Sequence, residues 1–218
     1  MEIIELTLLT NDLDATERFY NELLGLPVSD KSPNSVAFLT GHSKLSFKLT
    51  DISKPFYHFA FNIPHNKLDD ALHWAKSKVN VLDIENNNPI ADFSNWNAQS
   101  FYFLDNNNNI VEFIARFDLN NVSPNPFDGS SILSISEVGI PSTDVLNESK
   151  QIVDGFGLPY FTKQNPSETF VVVGNDEGIL IFVKNERNWY PTTLPSQRHW
   201  SRIKLKNQDK QFEIEIEP

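Results

Sequence analysis

The first residue in this sequence placed to do chemistry is a histidine inside an aromatic run. From Pro55 to Pro64 the chain reads PFYHFAFNIP. As a strand it puts Tyr57, Phe59, Phe61 and Ile63 on one face and His58, Ala60 and Asn62 on the other. The apolar face suits burial under helices. On the second face His58 has small neighbours that leave room for a ligand. An imidazole there can ligate a metal, carry a proton, or simply sit hydrogen-bonded in a core. Residues 3 to 9 alternate in the same way, with Ile4, Leu6 and Leu8 opposite Glu5, Thr7 and Leu9. His42 in a hairpin turn, and His65 and His73 at a helix start and on a helix, read as solvated.

Composition narrows the chemistry. The 218 residues include no cysteine, which excludes disulfides and thiolate metal sites and fits a reducing cytoplasm. A hydrophobic content of 39% with 12% aromatic residues is ample for a packed core. The net charge of -11 opposes nucleic-acid and anionic-membrane partners, both being polyanions. No apolar run reaches the roughly 20 residues of a membrane span, and no signal peptide opens the chain. The expectation is a cytoplasmic protein with a small-molecule ligand.

The elements that position His58 recur along the chain. A strand at 3–9 leads to a helix capped by Asn11 or Asp12 and running through Phe19, Tyr20, Leu23 and Leu24 to Gly25. Strands at 35–40 and 44–50 follow. The order returns with a strand at 56–63, a helix from about 66, and strands near 80–84, 98–104 and 110–116. After an aperiodic stretch from 118 to 130, the first unit comes back with its spacings intact. Glu5 precedes Asp12 by seven residues and Asp12 precedes Gly25-Leu26-Pro27 by thirteen; Glu137, Asp144 and Gly157-Leu158-Pro159 repeat both offsets. Strands at 168–173 and 179–184 complete this third unit. Two more, at 199–205 and 211–217, are the remnant of a fourth.

These features carry a family resemblance. The paired strand-helix-three-strand (βαβββ) unit, with DLDATERFYNELLGLPV at 12–28 and FYFLDNNNNIVEF at 101–113, resembles the vicinal oxygen chelate superfamily of glyoxalases, ring-cleaving extradiol dioxygenases, and fosfomycin and bleomycin resistance proteins. The resemblance implies an α+β fold in which two βαβββ modules form a cup-shaped mixed sheet. It places a complete domain at 1–117, a linker at 118–130 and a partial second copy at 131–218. It also implies a homodimer as an available assembly.

Ligands in such proteins come from the first strand of each module and the last strand of the second. Here that pattern offers Glu5, His58 and Glu112 for a divalent ion such as Fe, Mn, Ni or Zn, with Glu112 or Glu5 doubling as the proton shuttle. Glu112 faces away from Val111, Phe113 and Ala115, as such a role requires. Neither known ligand set is reproduced: the dioxygenases use two histidines and a carboxylate, and the glutamate that glyoxalase I adds from a fourth strand is replaced here by Ser46 or Lys48. Lys48 pointing into the cup would pair with Glu5 or Glu112 and give a metal-free polar network. Asn62, Trp96 and Tyr102 are expected to line the substrate space with Lys48, and Trp189-Tyr190-Pro191 to cover an opening or anchor a loop. Glu137 matches Glu5 by position, and His199 with Glu213 or Glu215 matches His58 and Glu112, in a second half expected to be degraded. Two functions fit: a metal-dependent glyoxalase-like or dioxygenase-like enzyme acting on a small oxygen-rich molecule, or a metal-free binder of the bleomycin-resistance type.

Overall fold

The computed structural model describes residues 1–51, 54–84 and 88–218. The first module runs β1 (Glu2–Thr10), α1 (Leu13–Glu17) continued by a π-helical stretch at Arg18–Leu23, β2 (Val28–Ser32), β3 (Ser35–Thr40) and β4 (Ser43–Leu49). The second runs β5 (His58–Ile63), α2 (Leu68–Lys76), β6 (Ala91–Phe93), β7 (Ala98–Leu104) and β8 (Ile110–Arg116). The third has β9 (Ser134–Ser142), α3 (Val145–Phe156), β10 (Phe170–Asn175) and β11 (Gly178–Lys184), and β12 (Ser201–Asn207) with β13 (Lys210–Ile216) is the remnant of a fourth. The repeat spacings have a physical basis in the helix ends. Asp12 and Asp144 cap α1 and α3 by accepting from the backbone N–H groups of Ala15 at 2.8 Å and Asn147 at 3.2 Å. Gly157, at φ 64, ends α3 in the left-handed conformation that favours glycine.

Within each module the first strand pairs in parallel with the last: β1 with β4, β5 with β8, β9 with β11. Between modules the pairing departs from the sequence expectation. β5 pairs antiparallel with β9, setting Ala60 opposite Glu137, and β1 pairs antiparallel with β12, setting Glu5 opposite Lys204. The second module therefore builds its cup with the third, and the first with the fourth. Among the described residues, 1–117 do not close a cup among themselves; the described strands form one 13-stranded sheet, joined where Ile3 meets Ile135. The stretch 118–130 is also more than a linker. Phe127 is buried against Trp74, ring centroids 5.4 Å apart, and Gly129 lies so close to the Leu24 carbonyl that an added Cβ would sit 2.0 Å from its oxygen. The strand expected at 80–84 is reduced to a bridge from Val81 to Phe103.

The expected face of β5 holds. Tyr57, Phe59, Phe61 and Ile63 join a large core with Phe101, Phe103 and Phe113 beneath the helices, while Ala60 belongs to a second apolar cluster with Trp96, Tyr102, Ile181 and Trp189 on the cup side. Each fully buried phenylalanine contributes about 1.5–3 kcal/mol, so this packing holds β5 rigidly between β8 and β9. The cup floor is thus set by strand register.

Candidate metal centre and cavity

β5, β8 and β9 bring together His58, Glu112 and Glu137. One donor atom from each lies within 4.8 Å of the others, and all three residues are buried. Ala60 pairs with Glu112 on one side and Glu137 on the other, so the two carboxylates flank β5 at one level, next to His58. His58 Nδ1 is 3.1 Å from the Ile110 carbonyl oxygen, which can only accept. The proton therefore sits on Nδ1, and Nε2 keeps its lone pair, 3.6 Å from Glu112 Oε2. Ligands on one ion stand about 3 to 3.5 Å apart, so small side-chain rotations close the shell.

The electrostatics fit a cation. Burial pulls the His58 pKa down to about 4, keeping the imidazole neutral, although the Ile110 carbonyl works the other way. Burial, then the charge of Glu137, pushes the Glu112 carboxyl well above its ordinary value; Ser100, Tyr102 and Arg116 oppose this. Glu137 is raised by burial and held down by Arg116. Arg116 is fully buried and donates Nη2–H to Glu137 Oε1, Nε–H to Ser136 Oγ at 3.1 Å and Nη1–H to Asp176 Oδ1 at 3.4 Å. Lys163 continues the chain outward, donating to Asp176 at 2.7 Å and to Asp118 at 2.6 Å. Arg116 offsets the charge of Glu137 alone, and a divalent ion would stabilise the charged form of Glu112 that burial disfavours. A neutral imidazole and two carboxylates form a hard oxygen and nitrogen donor set, so the residues present fit such an ion.

The cluster opens into a cavity of about 690 Å³. Trp96 and Tyr102 line it, and Trp189 packs 5.1 Å from the His58 ring. Gly139 on β9 makes room for that indole: a Cβ there would lie 2.4 Å from Trp189 Cη2. Tyr190 stands more exposed, edge-on to Phe93 and Tyr102.

Several expected site residues lie elsewhere. Glu5 does not join His58 and Glu112; it is held by Lys44 at 2.9 Å and Lys204 at 3.0 Å and accepts from Ser46 Oγ at 3.2 Å, all in the other cup. Lys48 reaches neither Glu5 nor Glu112, and its ammonium sits over the Trp200 ring at 4.9 Å. Asn62 lines a separate cavity of about 630 Å³ and donates to Ser134 Oγ at 3.3 Å. His199 packs edge-on against Phe56 and Tyr57, while Glu215 accepts from the Trp200 indole at 2.7 Å and Glu213 faces Arg202 and Lys204. Glu137 takes the place intended for Glu5. Sequence reasoning missed Arg116, Gly139 and Arg187, the last a cavity residue on the loop after β11. A lone arginine ending an apolar strand was the one signal for Arg116.

Residues 2–113 match the family model described as Glyoxalase/Bleomycin resistance protein/Dioxygenase superfamily. No curated protein sequence matches. Among solved structures, a Bacillus subtilis protein assigned provisionally as a dioxygenase is similar over 100% of this chain and 86% of its own, at 13% identity and a TM-score of 0.64. A glyoxalase I mutant from Zea mays is similar over 89% of this chain and 70% of its own, at 15% identity and a TM-score of 0.57. Both likenesses concern the fold alone. A lactoylglutathione lyase from Agrobacterium tumefaciens covers 51% of this chain and 90% of its own, at 25% identity and a TM-score of 0.42.

Proposed function

Since the chain belongs to the glyoxalase/bleomycin resistance protein/dioxygenase superfamily, we infer that it is a metal-dependent enzyme of glyoxalase-like or dioxygenase-like type, acting on a small molecule that presents two neighbouring oxygens. The observation that carries this reading is the convergence of His58, Glu112 and Glu137 at a cavity large enough for such a ligand. A divalent ion held by these three would supply Lewis-acid polarisation of the bound oxygens.

The chain's own residues would do the rest. His58 offers Nε2 because the Ile110 carbonyl fixes its tautomer. Arg116 keeps the Glu137 carboxylate charged and oriented. Glu112 has no lysine or arginine salt bridge among the described residues, and burial raises its proton affinity, which suits it to shuttle a proton at its carboxylate oxygen. Tyr102, opposite Glu112 in the β7–β8 register, stays protonated because burial and the Glu112 charge raise its pKa, and its phenol O–H donates to the Glu112 carboxyl and orients it. Trp189 keeps water from the His58 side.

The Arg116–Glu137 pair also favours a second reading, a metal-free small-molecule binder, because it already neutralises one carboxylate. Elemental analysis of protein purified without metal-affinity resin or chelator separates the two. Close to one divalent ion per chain is expected, with His58→Ala and Glu112→Ala losing it and Glu5→Ala keeping it. Protein that carries no metal, and that takes up added Mn, Ni, Zn or anaerobic Fe(II) no better than its Glu112→Ala variant, would leave the binder standing.

A further inference from the structure

The cavity above the cluster is acidic at its floor, through Glu112 and Glu137, and heavily aromatic on its walls, but one wall carries a cation. Arg187 is the single lysine or arginine among the described residues that line it. Its guanidinium lies over the Phe170 ring, 4.7 Å from the centroid, and it forms no ion pair with a carboxylate among the described residues. Arg116, Arg198 and Arg202 each have an acidic partner, Glu137, Glu148 and Glu213 respectively. Arg187 is exposed at the cavity rim, and the part of it that is buried lowers its pKa without an anion to raise it again.

The backbone that carries the cation is held in place. The Arg187 N–H donates to the Lys184 carbonyl at 3.1 Å, and its own carbonyl accepts from the Ser196 N–H at 2.8 Å. Two residues on, the Trp189 N–H donates to the Leu194 carbonyl at 2.9 Å and anchors the same hairpin beside His58. Stacking on Phe170 uses the face of the guanidinium and leaves its N–H edge for a ligand.

We propose that Arg187 is a specificity residue that receives a carboxylate at the end of the substrate remote from the metal cluster. This rests on the metal-chelation reading above and adds to it the charge of the substrate and the distance between its two recognised ends. Phe170 pairs with Val183 and Ile179 pairs with Glu137, so four residues of β11 separate the two levels. At roughly 3.3 Å per strand residue that is about 13 Å along the sheet. A flat ring chelated at the floor, with a short acid side chain, spans that distance once the side chains of Glu137 and Arg187 reach inward. One cation, with no second lysine or arginine among the described lining residues, suits a singly charged carboxylate better than a phosphate dianion.

The test uses zinc-loaded full-length protein under anaerobic conditions, with catechol and dihydrocaffeate as a probe pair differing in the propanoate arm. Binding is read by quenching of tryptophan emission, since Trp96 and Trp189 line the cavity. Wild type should bind dihydrocaffeate about tenfold more tightly than catechol. Arg187→Gln should reduce that ratio to within about threefold of unity with zinc content retained, and Arg187→Lys should restore part of it. A ratio that survives Arg187→Gln, or wild type without preference, overturns the proposal while the chelation reading stands. Binding of neither probe to the zinc-loaded protein sinks the chelation reading, and this proposal with it.

Discussion

Gly139→Ala sets two physical effects against each other, and their magnitudes decide the sign. Gly139 lies inside β9 without a left-handed φ, so replacing it with alanine should stabilise the protein by about 0.4–1 kcal/mol through the unfolded chain alone. The new Cβ, however, would stand 2.4 Å from Trp189 Cη2 and 2.9 Å from Cζ2. Ordinary contact begins near 3.4 Å, so the indole must retreat by about 1 Å. It has little freedom: Trp189 is only 6% exposed and its backbone is tied to Leu194. Overpacking of this kind costs about 1–3 kcal/mol. The net expectation is a loss of about 1–2 kcal/mol, or roughly 2–8 °C in Tm for a chain of this size. Chemical denaturation of metal-free protein measures it, and a double-mutant cycle with Trp189→Leu assigns it. In the Trp189→Leu background, Gly139→Ala should become neutral or stabilising. Stabilisation in the wild-type background, with a coupling to Trp189 below about 0.3 kcal/mol, would refute the claim that this glycine exists to seat the indole.

Other consequences can be checked alongside. Arg116→Met leaves Glu137 buried and unpaired and should destabilise metal-free protein by about 3–5 kcal/mol; zinc at about a hundred times its Kd should return about 2.7 kcal/mol, and the absence of any zinc rescue in denaturation curves would count against Glu137 as a ligand. For His58 the folded pKa of about 4 lies below the unfolded value of 6.5, so the unfolded chain binds the proton first. Its contribution is present above pH 6.5 and fades as pH falls toward 4, by about 3 kcal/mol. Glu112, raised by burial, acts in the opposite sense, so the His58 part is read as the difference between the stability–pH curves of wild type and His58→Gln, which should diverge over that window in metal-free protein. A fragment of residues 1–117 lacks Glu137, β9 and β12; it should show poor dispersion in a proton–nitrogen correlation spectrum and no one-to-one zinc binding in calorimetry.

What could be read from the sequence was local. The alternation around His58 and Glu112 named both faces correctly, because strand parity is a property of a few consecutive residues. The Asp12 and Asp144 caps marked the module repeat for the same reason. Module pairing was not legible, since it is decided by contacts between β5 and β9 and between β1 and β12, far apart in the chain. The charges held a partial clue. Lys44 on β4 and Lys204 on β12 complement Glu5, whereas no lysine lies on β5, β8 or β9 to oppose Glu112. A β-bulge between Ile3 and Glu5 further disturbs the parity of β1, which is why Ile3 rather than Ile4 is fully buried there. Gly139 and Trp189, 50 residues apart, could be matched only once the sheet was closed.

The β1–β12 pairing has a consequence for how the chain is made. Lys204 meets Glu5 across 199 residues, so one edge of β1 waits for that length of chain to be synthesised. At about 5–20 residues per second that is on the order of 10 to 40 seconds with an open strand edge on the nascent protein. Open edges recruit other strands unless charge discourages it. Glu5 and Lys44, which do no work in the candidate site, sit on β1 and its early partner β4 throughout that interval. Their ion pair puts charge beside that edge while the sheet is unfinished, and Lys204 joins Glu5 once β12 is in place.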